Sequence, residues 1–191
     1  MFDLYFEIRK RICPYEIIIK NIPPKQKILD IGCGQCVTLE YILKNKDFVS
    51  YTGIDKKIKK SNKTKKWSSK NLHLIEDSIE NCNIDFSKFD TILMIDVMHH
   101  IKKDNQKIII EKILSKMKIG STLIYKDISN KNLFKGFANK LHDLLFNLDI
   151  IHYYQSKKII EFAKKSLKIT KIKKFNIQVL WYDHEFLIIN K

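Results

Sequence analysis

Four aspartates, two glycines and a pair of histidines carry most of the chemistry this chain can do. Asp30, Asp55, Asp77 and Asp96 each close or follow a short apolar run, and Gly32 and Gly34 stand directly behind the first of them. Residues 27–43 read K-I-L-D-I-G-C-G-Q-C-V-T-L-E-Y-I-L. The apolar run closes on Asp30, turns at Gly32 and Gly34, and continues with helical apolar spacing through Leu39, Ile42 and Leu43. Glycine lacks the Cβ that keeps a ligand off the backbone, and the N–H groups that open a helix face any polar group placed there. Such a turn suits a nucleotide cofactor. His99 and His100 follow Asp96, and their imidazoles titrate close to neutrality. Asp127, and His142 beside Asp143, are the further candidates for proton transfer.

Cys33 and Cys36 form C-G-Q-C in the same turn. A redox C-x-x-C also follows a strand and opens a helix, whose N-terminus lowers the first thiol's pKa. Asp30 and Gly32 in front and Asp55 behind are needed by a cofactor site and not by a redox site, so the dithiol is the minor alternative. The other cysteines, Cys13 and Cys82, make neither a disulfide framework nor a second ligand pair, and no zinc site is expected.

The turn resembles the first motif of the class I S-adenosylmethionine (SAM)-dependent methyltransferases over residues 30–36. The resemblance extends along residues 27–127. Asp55, ending Y-T-G-I-D, stands where that family places the carboxylate that grips both ribose hydroxyls. Asp77 in L-I-E-D-S-I matches the acidic residue beside the adenine, with Ser78 offering its backbone. F-D-T-I-L-M-I-D-V-M-H-H-I (89–101) looks like the fourth strand and its turn, and L-S-K-M-K-I-G-S-T-L-I (114–124) like the turn into the fifth. The resemblance implies SAM as cofactor, with Asp30, Gly32, Cys33, Gly34, Asp55, Asp77, Ser78 and Asp96 around it. Two departures stand out. Cys36 replaces the third glycine, where it is expected to crowd the cofactor's methionine portion, and Lys118-Ile119-Gly120 replaces the usual Pro-Gly.

The elements that position these residues alternate. Residues 4–20 are expected as a leading helix that stops before Pro23-Pro24. Strands are expected at 28–31, 49–54, 72–75, 91–95 and 122–126. Their continuous apolar character means helices on both faces, hence an α/β, doubly wound, mostly parallel sheet. A helix over 104–117 buries Ile108, Ile109, Ile113 and Met117. Leucine and phenylalanine recur at helical spacing from Leu133 to Leu148 in an inserted segment, 130–155, where the family builds its substrate lid. A helix over 157–166 and strands at 169–177 and 186–190 complete the chain. The resemblance implies seven strands in the order 3-2-1-4-5-7-6, the last antiparallel, with ligands at the carboxyl ends. Four carboxylates there suit a sulfonium, an ammonium and a ribose diol, and would repel the pyrophosphate of a dinucleotide.

With 191 residues, 45% of them hydrophobic, one core is the expectation. A single domain over 1–191 would comprise an N-terminal helix (1–24), a cofactor-binding core (25–127), a helical lid insertion (128–168) and a C-terminal hairpin (169–191). No run approaches the roughly 20 apolar residues of a membrane span, and the first residues lack a secretory signal's basic start, so a cytoplasmic location is expected. The net charge of +15 raises nucleic acid as a partner. Yet Arg9 and Arg11 are the only arginines, and phosphate and base recognition favours arginine. The dense lysine run over 56–66 is read as a solvated helix face. The expected acceptor is a small molecule or lipid-like compound, reached past His99, His100, Asp127 and His142. An RNA acceptor is the alternative, weakened by the absence of an N-P-P-Y-type tetrapeptide after the fourth strand. A non-catalytic SAM-binding role comes after it.

Overall fold

The computed structural model describes residues 2–58, 71–129, 156–166 and 168–191. Seven strands form one sheet: β1 (Gln26–Ile31), β2 (Phe48–Asp55), β3 (Leu72–Glu76), β4 (Thr91–Ile95), β5 (Thr122–Ile128), β6 (Lys171–Val179) and β7 (Tyr182–Asn190). Their order is β3-β2-β1-β4-β5-β7-β6. β1 to β5 pair in parallel, and β7 runs antiparallel to both β5 and β6. The expected order and the antiparallel last strand are both present.

Alternation along the strands feeds two cores. Leu29, Ile31, Ile92, Met94, Leu123 and Tyr125 face one side, where they meet Ile110 and Ile113 of α4 (Lys103–Lys116) and Ile159 of α5 (Ser156–Lys165). Ile28, Tyr51, Leu93, Ile95 and Ile124 face the other, against Ile18 of α2 (Tyr15–Lys20) and Leu39 and Ile42 of α3 (Val37–Asn45). Every residue of β4 is buried, as a central strand covered on both faces must be.

Three sequence expectations are corrected. The leading helix is two helices, α1 (Phe2–Ile12) and α2, because Pro14 has no N–H to donate and its ring clashes with the preceding turn. In α4 the buried stripe is Gln106, Ile109, Ile110, Ile113 and Leu114, and Ile108 is 62% exposed. Its 100° turn from Ile109 carries it to the solvent side. The final hairpin is tight: Val179 pairs with Tyr182, Leu180 takes φ +56, and Tyr182 to Glu185 lie in the strand. Most of the lysine run and the whole 130–155 insertion, with His142, fall outside the described residues.

Candidate active site

The sheet order reverses beside β1, so the loops after β1 and β4 diverge and leave a crevice at the strands' carboxyl ends. A cavity of about 540 Å3 fills it, walled by Gly32, Cys33, Gly34 and Gln35 from the β1 turn, Asp55 from β2, Asp77, Ile79 and Glu80 from the loop after β3, and Asp96, Val97, His100 and Ile101 after β4. That volume lies within the range of about 300–1,000 Å3 typical of small-molecule sites. Arg9 and Tyr15 close the wall from the N-terminal helices.

The glycine turn is fixed by its backbone. Gly32 sits at φ +73, and a Cβ there would lie 2.2 Å from Val97 Cγ2. Gly32 and Cys33 donate to Ile54 O at 2.7 and 3.1 Å. Gly34 N donates to Asp55 Oδ2 at 2.9 Å, and Lys57 N to Asp55 Oδ1 at 2.9 Å. Asp55 is thereby aimed along the edge of the cavity. An ionised carboxylate has about four lone-pair sites, so two backbone donors leave it able to accept from a vicinal diol. Asp77 accepts from Ser78 N at 2.7 Å; it lines the cavity and Ser78 does not.

Asp30 stands behind the turn. It is 1% exposed, accepts from the Tyr51 hydroxyl at 2.6 Å, and is absent from the cavity wall. Burial pushes its carboxyl up to about 7, against the Tyr51 hydrogen bond. Cys36 also lies away from the cavity. It is wholly buried among the apolar residues of α2 and α3, with its backbone at φ +57. The position demands the left-handed conformation that glycine adopts freely, and cysteine occupies it at a conformational cost. The expected crowding of the ligand does not arise, because the side chain points into the core. The Cys33 thiol is pushed up by its bond to Cys36 and by burial, the reverse of an activated redox thiol.

Asp96 is the centre of a buried ionic cluster. Its φ is +54, and its two oxygens accept from Lys126 Nζ at 2.7 and 2.6 Å and from Arg9 Nη2 at 2.9 Å. Burial alone would raise its pKa; Lys126 and then Arg9 outweigh burial and hold the carboxyl well below the usual range. With both oxygens occupied, Asp96 is neutralised within the protein. Asp96 lines the cavity with its charge already balanced by Lys126 and Arg9. His184 of β7 lies beside the cluster, and burial followed by Lys126 depresses it to about 4, leaving it neutral at pH 7.

The two histidines part company within one 3-10 turn, Met98–His100. His100 lines the cavity. His99 is buried, its Nδ1 2.5 Å from Asp127 Oδ1, and neither His99 nor Asp127 reaches the wall. Reading the sequence missed Arg9, Tyr15, Lys126 and His184. Lys126 had a signal: a lone cation inside the apolar strand T-L-I-Y-K-D-I.

Residues 29–123 match the family described as a methyltransferase domain. The chain is 28% identical over 145 residues to the carboxy-S-adenosyl-L-methionine synthase of Campylobacter fetus, spanning 74% of this chain and 57% of that protein. It is 26% identical over 190 residues to malonyl-[acyl-carrier protein] O-methyltransferase 1 of Ilyobacter polytropus, spanning 98% of this chain and 66% of the relative. This chain therefore matches under two-thirds of the length of either protein. In fold it resembles the Burkholderia thailandensis 1,6-didemethyltoxoflavin-N1-methyltransferase solved with its substrate and S-adenosylhomocysteine, with a TM-score of 0.68 at 12% identity over 93% of this chain and 76% of that one.

Proposed function

This chain belongs to the class I SAM-dependent methyltransferases, and we propose that it moves the methyl group of SAM to a small-molecule acceptor held between Arg9 and His100. The observation that carries the reading is Asp55: a carboxylate fixed by Gly34 N–H at the lip of a cavity floored by a glycine turn. A ribose diol needs such an acceptor, and a cofactor lying close to the backbone needs Gly32 without a Cβ. The residues present fit SAM. Asp55 would take its ribose hydroxyls, Asp77 would stand beside its adenine, and Ile79 and Ile101 would flank the base. Bound there, SAM supplies an electrophilic methyl group on a positively charged sulfur.

The protein's own part is to place the acceptor. Holding two reactants in a near-attack pose is worth up to about 7–11 kcal/mol, which makes positioning the larger contribution of this site. Asp30, through Tyr51, stiffens the turn from behind. Where an acceptor brings a proton to be lost, His100 is the cavity-wall group to receive it, and the His99–Asp127 pair packs behind with ring centroids of the two histidines 4.1 Å apart.

One consideration favours small molecules over RNA. The Ilyobacter relative is named as a malonyl-[acyl-carrier protein] O-methyltransferase and the Campylobacter relative for making carboxy-SAM, and neither is named for an RNA acceptor. No helix among the described residues is long and apolar enough to cross a membrane. Calorimetry with S-adenosylhomocysteine tests the reading. Wild-type protein should bind, and Asp55→Ala should lose about 1.5–3 kcal/mol, the range of a hydrogen bond to a charged group. Folded wild type that fails to bind refutes the assignment.

A further inference from the structure

We propose that the acceptor is a carboxylate-bearing small molecule, methylated on a carboxylate oxygen and held by Arg9; this rests on the methyltransferase reading above. Two cations converge on one carboxylate at this end of the cavity. Lys126 Nζ spans both oxygens of Asp96, and Arg9 Nη2 reaches the same group at 2.9 Å. The three groups together carry one more positive charge than negative. At the opposite end the wall carries Asp55, Asp77 and Glu80 against Lys56 and Lys57, with Lys56 paired to Glu80 at 3.2 Å, so one negative charge is left over. The cavity is therefore polarised, and its cationic pole calls for an anion.

Arg9 is suited to present that pole and Lys126 is not. Lys126 is sealed, whereas the Arg9 side chain is 21% exposed and stands in the cavity wall. Asp96 and the Tyr15 hydroxyl bond it, which fixes the plane of its guanidinium, and the Tyr15 ring is itself stacked on Tyr41 at 4.9 Å. Of 36 basic residues in the chain only two are arginine, and one of them occupies this wall. A guanidinium matches a carboxylate with two parallel donors, which an ammonium cannot do.

The chemistry agrees with the surroundings. In the step, a carboxylate oxygen forms a bond to the methyl carbon as the carbon–sulfur bond breaks, and that electron pair leaves with sulfur. The anion and the sulfonium become a neutral ester and a neutral thioether. No proton is released, so no base is needed. His99 is turned away to Asp127, and Asp96, doubly paired with cations, is a poor proton acceptor.

The test uses methyl-labelled SAM with a protein-free metabolite extract, and with the same extract after its carboxylates have been converted to amides with carbodiimide and methylamine. Label should enter products that release volatile methanol under mild alkali, as methyl esters do, and amidation should abolish this. Arg9→Gln should lower the rate at dilute extract about ten- to a hundredfold, with Arg9→Lys in between, while the affinity for S-adenosylhomocysteine moves less than about threefold. Alkali-stable label, or no label from a protein that binds S-adenosylhomocysteine, overturns the carboxylate acceptor. So does an Arg9→Gln variant that loses S-adenosylhomocysteine affinity as severely as turnover, which would assign Arg9 to the cofactor's own carboxylate. Loss of S-adenosylhomocysteine binding by wild type would instead refute the methyltransferase reading itself.

Discussion

Replacing Asp30 with asparagine should leave the protein unchanged in mild acid and make it more stable in mild base. Asp30 is sealed behind the cofactor turn, and burial lifts its carboxyl from 3.8 to about 7. Between those values the unfolded chain has released this proton while the folded protein still holds it. Because the folded state then binds more protons, stability falls as pH rises; the contribution is whole below about pH 4 and gone above about pH 7. The full interval is worth about 4 kcal/mol at roughly 1.4 kcal/mol per pH unit, and the part lost between pH 5 and pH 8 is about 2–3 kcal/mol. His184 opposes it over part of the range. Depressed to about 4, it resists protonation in the fold and so removes stability as pH falls below about 6.5. The wild-type curve alone is therefore not diagnostic, and the difference between the two proteins is. The introduced amide keeps an oxygen for the Tyr51 hydroxyl. Urea unfolding of ligand-free wild type and Asp30→Asn should give coincident stabilities near pH 5, and at pH 8 the variant should be ahead by about 2–3 kcal/mol. Curves that stay parallel across the range would show that Asp30 is ionised in the fold and that the reasoning fails.

Lys126→Met should cost about 3–5 kcal/mol in urea unfolding, the loss expected when one member of a buried ion pair is removed and its partner stays charged. A loss below about 1 kcal/mol would mean that Arg9 alone neutralises Asp96. Gly32→Ala should weaken both stability and S-adenosylhomocysteine binding, since it meets Val97 at 2.2 Å and a left-handed φ of +73. Adding Val97→Ala should recover the steric part and leave about 1–2 kcal/mol of backbone cost. Under the carboxylate proposal, His100→Ala should keep a flat pH dependence of turnover from about pH 6 to 8; a limb in the ordinary histidine range, near 6.5, that vanishes in the variant would reveal a proton-bearing acceptor.

Much of this site can be read along the chain, for reasons its residues explain. The strands are short apolar runs buried on both faces, so each announces itself locally, and the residue closing each run, such as Asp55, lands at the carboxyl edge without further information. The glycine turn is equally local. What escapes is decided across the fold. Lys126 reads as a strand residue, and only the pairing of β5 with β4, which sets it opposite Ile95, brings its ammonium to Asp96. His99 and His100 are neighbours of identical type, and a 3-10 turn sends one to Asp127 and the other to the cavity; residue type cannot choose between them. Asp30 resembles a ligand contact in sequence, yet strand alternation puts it on the Ile28 face, where Tyr51 meets it. Pro14 divides the helix expected over residues 4–20 for a local reason, its missing N–H and its ring.

The Arg9–Asp96 pair has a consequence for how such an enzyme can diversify. Under the proposed assignment, the sheet and its loops supply Gly32, Asp55, Asp77 and Asp96 for the half of the reaction common to every acceptor. Arg9 comes from α1, which contributes no strand to the sheet and is tied to α3 through Lys10 and Glu40. A change in that helix can rewrite which molecule is methylated without disturbing where the methyl donor lies. If Arg9 holds the acceptor as proposed, donor recognition is vested in the scaffold and acceptor recognition in an appendage, and the two can drift at different rates while sharing one carboxylate.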